Sequence, residues 1–388
     1  MDAFFEKELA TLKQRGQLRD VYTLPQTGGE ITVDGKTLVN FSSNDYLDLA
    51  NDNRVKQAAI QTINEQGCGA TAARLMTGHL RLHEQLETEL AHMMGTEAAL
   101  VFGSGFLTNL GVMTALGRAG DEIYADMLNH ASLIDGTRLS KAHPILYRHK
   151  DMAHLESLLV KSKAKGKRII VSDSVFSMDG DIAPLAGLAE IAERYNALLV
   201  IDEAHAVGVM GQDGGGACRI KGQEIKPDVV IGTLSKSLGG YGGYAACSAS
   251  IRKFLINNAR SFIYSTGLPP VCAGSGREAI SIIKSNPDMG KTLLDKSRRF
   301  RDLLSGAGLN VPEFESQIIP ILVGDNELTV RFSQMLWNQG LLIKAIRPPT
   351  VPSGTSRVRL SVTLALSDET LRNSADMIAQ TAKKAGII

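Results

Sequence analysis

Two apolar runs in this 388-residue chain end on side chains able to do proton chemistry. ALLVID (197–202) closes on Asp202, with His205 three residues further on, and DVVIGTLSK (228–236) closes on Lys236. An acid, an imidazole and a lysine at strand ends are what a pyridine aldehyde cofactor needs: a carboxylate to keep the ring nitrogen protonated and an amine to form an imine with the aldehyde. The same spacing also fits a plainer arrangement, in which Asp202 caps a helix and Lys236 is a surface lysine.

Such a cofactor also needs a phosphate site. Ser104, Gly105 and Phe106 follow the run AALVF and precede a helix expected from near Asn109, and a helix N-terminus with a glycine is a ready anion site. Thr233 stands three residues before Lys236 and could reach the phosphate of a cofactor bonded there; Ser265 and Thr266 are further candidates. Each of these, taken singly, also reads as a turn or cap residue. His130, in LNHASLIDG, could lie over a ring and hydrogen-bond reacting oxygens, or be a structural histidine. In SRVRLSV, Arg357 and Arg359 are expected on opposite faces of a strand, one clamping a substrate carboxylate and the other on the surface.

The elements that must position these residues follow from periodicity. Residues 1–48 form an arm: a helix over 2–19 with Phe5, Leu9 and Leu12 on one side, then an extended segment through ITVDGKTLVNF. Residues 49–275 form a large domain, with the helices VKQAAIQTINEQ and HEQLETELAHMM, then the runs AALVF, EIYAD, RIIVSDSVF, ALLVIDEAH and DVVIGTLSK alternating with helices. That alternation implies an α/β fold with a mostly parallel sheet, whose ligands bind beyond the carboxyl ends of the strands. Residues 276–388 read as a smaller α+β domain: the end of a helix over 271–285, then SQIIPILVG, a helix over 328–339 and SRVRLSVTL. KSKAKGKR (161–168) reads as a solvated loop.

The 42 basic and 41 acidic side chains leave a net charge of +1, which gives no electrostatic case for nucleic acid or membrane as a partner and favours a small ligand. Four scattered cysteines, Cys68, Cys218, Cys247 and Cys272, suggest neither a disulfide framework nor a zinc site and fit a reducing cytoplasm. There is no signal core or membrane-length apolar run.

Other motifs are set aside. Gly67-Cys-Gly69-Ala-Thr-Ala72 fits a dinucleotide fingerprint but follows a helical segment instead of a strand, so a loop is expected. Gly290-Lys291-Thr292 ends like a phosphate loop, yet Ser285 occupies the first-glycine position. His79 and His83 have i, i+4 spacing without the glutamate of HExxH, and no metal is predicted.

Taken together, FSSNDYL (41–47), SGFLTN (104–109), NHASLIDG (129–136), SVFSMDGDIAPL (174–185), IDEAHAVGVMG (201–211), GTLSKSLGG (232–240) and FIYSTGLPP (262–270) resemble, in order and spacing, the α-oxoamine synthases. The resemblance runs from about Arg19 to Thr363. It implies the fold of type I pyridoxal-phosphate transferases (aspartate aminotransferase-like) and decarboxylating condensation of an amino acid with an acyl thioester. Within the family, IRPPTVPSGTSRVRL (346–360) looks most like the members that join L-alanine to a pimeloyl thioester in biotin synthesis. Glycine C-acetyltransferase is the nearest rival. A non-catalytic regulator on the same core would need a DNA-binding extension, for which the arm is too short.

The resemblance further implies that Lys236 carries pyridoxal 5'-phosphate, that Asp202 pairs with the pyridinium nitrogen, that His205 binds the phenolic oxygen, and that His130 stacks on the ring and meets substrate. Ser104, Gly105, Phe106, Ser177 and Thr233 would hold the cofactor, with Ser265 and Thr266 donated to its phosphate by the second subunit of a homodimer. Arg359 would bind the amino acid carboxylate, and Arg19 and Thr350 the acyl substrate, whose carrier is coenzyme A or acyl carrier protein. Two departures bear on substrate choice: Leu366 stands where relatives commonly have histidine, and Asp173 where glutamate is more usual.

Overall fold

The computed structural model describes residues 2–19, 21, 23–25, 27–313 and 315–388. The chain divides into two compact units, one of Asp45–Ser177 and Asp181–Thr292, the other of Met1–Asn44, Met178–Gly180 and Leu293–Ile388. The pattern of the sequence draws its boundaries at 48 and 275 instead, and pairing and packing account for the difference. A parallel bridge from the arm to Leu341–Leu342 ties the arm to C-terminal residues. The helix Pro270–Ser285 buries Ala273, Ala279, Ile280 and Ile283 and packs on two helices of the first unit, so it stays with that unit.

The arm opens with α1 (Asp2–Gln14), shorter than the expected 2–19, which buries none of its residues. The single extended segment expected next is a hairpin of β1 (Glu30–Val33) and β2 (Lys36–Asn40). Asp34 and Gly35 make its turn with φ of 51° and 77°, the positive values that a two-residue turn between twisted strands requires.

The larger unit contains α2 (Asn53–Gln66), α3 (Arg81–Met94), α4 (Gly105–Leu116) and α5 (Ala131–Leu139) beside a seven-stranded sheet. Its strands are β3 (Ala98–Phe102), β4 (Glu122–Asp126), β5 (His143–Tyr147), β6 (Arg168–Asp173), β7 (Ala197–Asp202), β8 (Val229–Thr233) and β9 (Gly243–Cys247), in the order β3-β9-β8-β7-β6-β4-β5. β5, β4, β6, β7 and β8 are successively parallel, and β9 runs antiparallel between β8 and β3. Every residue of β4 and β8 is buried, as expected of strands covered on both faces.

The smaller unit adds β10 (Ile318–Gly324), β11 (Leu341–Leu342), β12 (Lys344–Ile346) and β13 (Ser356–Ser361). The antiparallel sheet β10-β13-β12 stands beside the sheet β1-β2-β11. Its helices Asn326–Asn338 and Asp368–Ala385 start on side-chain caps from Asp325 and Ser367. No helix among the described residues is long and apolar enough to cross a membrane.

One buried ion network of the larger unit bears on the site. His149 reaches Asp126, the last residue of β4, at 3.0 Å and Asp181 at 2.9 Å, while Asp126 also accepts the N–H groups of Leu128 and Lys150. These bonds fix the turn that leads from β4 to His130. Burial opposes a charge on His149, but the hydrogen bonds and charges of Asp126 and Asp181 outweigh it and hold the pKa up to about 9. A pKa raised above its unfolded value of about 6.5 stabilises the fold fully below that pH and loses its contribution as the pH rises through about 9. His149→Gln should therefore lose on the order of 3 kcal/mol near pH 6, with the gap to wild type closing above pH 9; urea unfolding at several pH values measures this.

Candidate active site

The parallel strands β6 and β7 end side by side, with Asp173 in register with Asp202, and β8 pairs alongside through Ile231. Asp202 is 4% exposed and its charge is met by protein donors: Ala204 N–H to Oδ1 at 2.9 Å and Asn109 Nδ2 to Oδ2 at 2.8 Å. The turn after β7 is held by the buried Glu203 carboxylate, which accepts from Ser174 Oγ at 2.6 Å, Cys218 N–H at 2.7 Å and Ala217 N–H at 3.0 Å. That turn presents His205. Its Nε2 lies 2.7 Å from Lys236 Nζ and its Nδ1 2.7 Å from Tyr46 Oη, so the ring is pinned through both nitrogens.

His130 caps the start of α5. Its backbone N–H donates to Asp173 Oδ2 at 2.7 Å, and its Nδ1 lies 2.6 Å from Ser132 Oγ. Burial holds the His130 pKa below its ordinary value, against the upward pull of Asp202. Burial, reinforced by the Asp202 charge, pushes the Asp173 carboxyl well above the usual range, so the two carboxyls at neighbouring strand ends are not equivalent.

α4 begins at Gly105, not near Asn109, because Ser104 caps it by accepting the Leu107 N–H at 3.2 Å. The earlier start places Asn109 in the second turn, where its amide reaches Asp202. A Cβ on Gly105 would stand 3.3 Å from Thr233 Cβ, and one on Gly243 would stand 2.5 Å from the Gly105 nitrogen, so the helix start, the end of β8 and the start of β9 pack without side chains between them. Thr233 is buried, donating to the Gly242 carbonyl at 2.7 Å and accepting the Ser235 N–H at 3.1 Å. Phe106 is 45% exposed. The groups fit a phosphorylated pyridine aldehyde: a primary amine on Lys236, a buried carboxylate on Asp202, and a glycine-lined helix start beside two hydroxyls.

Asp202, His205, Lys236, His130, Ser104, Gly105 and Thr233 thus belong to one unit, as do half-buried Ser177 and the pair Ser265 and Thr266. The bonds of that pair run elsewhere: Thr266 bridges to Ala73, and Ser265 Oγ reaches the Thr266 carbonyl at 3.4 Å. Arg19, Thr350 and Arg359 belong to the other unit. There Arg19 Nη2 donates to Thr350 Oγ1 at 3.1 Å, which brings the two expected acyl-site residues together. Arg359 Nη1 donates to Ser361 Oγ at 2.8 Å and Asn44 Oδ1 at 3.2 Å.

Arg357 corrects the expectation of opposite faces. Residues two apart on a strand share a face, and both arginines are buried in β13. Arg357 is no surface residue: its Nη1 pairs with Asp179 and reaches the Met178 carbonyl at 3.3 Å. The residue types and spacing did not single out Tyr46, Asn109 or Ser132. All three stand within the strings FSSNDYL, SGFLTN and NHASLIDG, which were the signal available.

Gly243→Ala should force the start of α4 away from β9, costing about 1–3 kcal/mol, which thermal unfolding measures.

Comparison with known proteins bears on what this geometry serves. The sequence profile of the family described as aminotransferase class I and II matches residues 36–378. An 8-amino-7-oxononanoate synthase of Lysinibacillus sphaericus is 44% identical over 390 residues, covering 100% of both chains. One of Geotalea daltonii is 42% identical, covering 99% of this chain and 98% of its own. Among solved structures, the serine palmitoyltransferase from S. paucimobilis with bound PLP-myriocin aldimine superposes with a TM-score of 0.94 at 26% identity, covering 99% of this chain and 98% of that one. An 8-amino-7-oxononanoate synthase from Francisella tularensis gives 0.77 at 27% identity, covering 89% and 98%.

Proposed function

The chain belongs to the aminotransferase class I and II family, and within it to the α-oxoamine synthases, and from that premise we propose that it makes 8-amino-7-oxononanoate for biotin synthesis. The reaction joins L-alanine to a pimeloyl thioester: a carbon–carbon bond forms between the alanine α-carbon and the acyl carbonyl, the thiol leaves, and the alanine carboxylate departs as carbon dioxide. What carries the reading is the placement of Asp202, His205 and Lys236 at the ends of the adjacent strands β7 and β8, in a chain alike over its whole length to such synthases.

When bound, pyridoxal phosphate supplies an electron sink for negative charge at the amino acid α-carbon. Lys236 is its attachment point. Lys236 Nζ would accept the α-proton of the amino acid and later return one. Asp202, fixed by Ala204 and Asn109, would keep the ring nitrogen protonated. His205, fixed by Tyr46, would hydrogen-bond the phenolic oxygen. Ser104, Gly105, Phe106, Ser177 and Thr233 would hold the rest of the cofactor. His130 would stack on the ring and donate to the acyl oxygen as charge develops there. Arg359 orients the amino acid carboxylate, and Arg19 and Thr350 receive the acyl chain.

The working form is a cytoplasmic homodimer with active sites at the subunit interface, Ser265 and Thr266 reaching the partner's phosphate site. Coenzyme A or acyl carrier protein brings the thioester.

Lys236→Ala is expected to abolish both the visible absorbance of the lysine-bound cofactor and turnover. Purified protein supplied with pyridoxal phosphate and pimeloyl thioester should release thiol and carbon dioxide with L-alanine and far less with glycine. Turnover on glycine alone would move the chain to glycine C-acetyltransferase, and no thiol release with any amino acid would refute the synthase reading.

A further inference from the structure

His130 Nδ1 faces two donors from one residue, the Ser132 backbone N–H at 3.3 Å and the Ser132 hydroxyl at 2.6 Å. A backbone N–H can only donate, so Nδ1 is an acceptor and the proton of the neutral ring sits on Nε2. The direction of the hydroxyl is settled one residue further back. Asn109 Nδ2 donates to Ser132 Oγ at 2.8 Å and, with its second hydrogen, to Asp202 Oδ2 at 2.8 Å. Turning that amide over would set its oxygen against the Asp202 carboxylate, so the amide has one orientation. With its oxygen receiving from Asn109, Ser132 has its own proton to give to His130. Asn109 is 2% exposed and Ser132 0%, so water does not compete for these bonds.

We propose that Asn109 and Ser132 are positioning residues that lock His130 as the Nε2–H tautomer, making Nε2–H the one donor of its ring. The same amide aligns Asp202, so the two groups on which the proposed chemistry depends share one orienting side chain. The inference rests on the reading of His130 as donor to the acyl oxygen, but the tautomer itself can be observed without turnover.

Long-range proton–nitrogen spectra of histidine-labelled protein give that observation, with His130 assigned by loss of its signals in His130→Gln. Wild type should show Nδ1 as a hydrogen-bonded acceptor and Nε2 protonated. In Ser132→Ala, which keeps the longer backbone N–H bond and loses the short hydroxyl one, Nδ1 should shift toward a weakly bonded nitrogen, and Ser132→Thr should restore the wild-type signals. Turnover should follow, kcat falling about 10- to 100-fold in Ser132→Ala and recovering in Ser132→Thr. Ring signals in Ser132→Ala indistinguishable from wild type, or Nδ1 protonated in wild type, would overturn the proposal. Full turnover in His130→Gln would instead remove the role assigned to His130, and the nitrogen spectra would still decide the lock.

Discussion

Asp202 sits where strand packing has removed nearly all water, and a carboxylate in that position must be met by hydrogen-bond donors of the chain. Among the described residues two meet it, one from its own turn and one from Asn109 in α4. The second ties a helix to a strand distant in sequence, joining the second turn of α4, whose start Ser104 caps, to the end of β7. A site for anion and cation chemistry is in this sense the solution to a burial problem: the sheet needs its charged strand end satisfied, and the groups that satisfy it line one place.

Around that contact the chain builds pairs in which one residue restrains another. Tyr46 holds His205, Ser132 holds His130, and Asp173 accepts the backbone N–H that aims the His130 turn. Asp173 and Asp202 stand in register on adjacent strands, yet burial and mutual repulsion push one carboxyl toward neutrality. Two identical side chains at neighbouring strand ends thus stand in different surroundings.

The strands legible in the sequence are β3, β4, β6, β7 and β8 of the larger unit and β10 and β13 of the smaller. β5 (HPILY) was missed because it is an edge strand, where proline is tolerated and three of its residues stay exposed. β9 (GYAAC) was missed because it is buried through small residues that a strand pattern does not favour. The site followed the same logic. Asp202 and Lys236 were legible because a charged residue ending an apolar run is conspicuous. Tyr46, Asn109 and Ser132 are ordinary polar residues whose importance lies in partners 159, 93 and 23 residues away, and no local pattern records that. The opposite-face expectation for Arg357 failed on the two-residue period of a strand, not on any property of the fold.

The antiparallel placement of β9 has a consequence for how the chain assembles. β8 and β9 form a hairpin, with Thr233 opposite Gly243 and the Leu234 N–H returning to the Gly242 carbonyl at 3.0 Å, so the loop that carries Lys236 is closed by neighbours in sequence. Its loop-closure entropy is small, and it can form as a local unit. Asn109 and Asp202 meet only after parallel strands joined by long crossovers have found their order. The lysine is therefore set in place by a short-range event and its surroundings by long-range ones, and the pace at which the chain becomes competent is governed by the topology of the sheet.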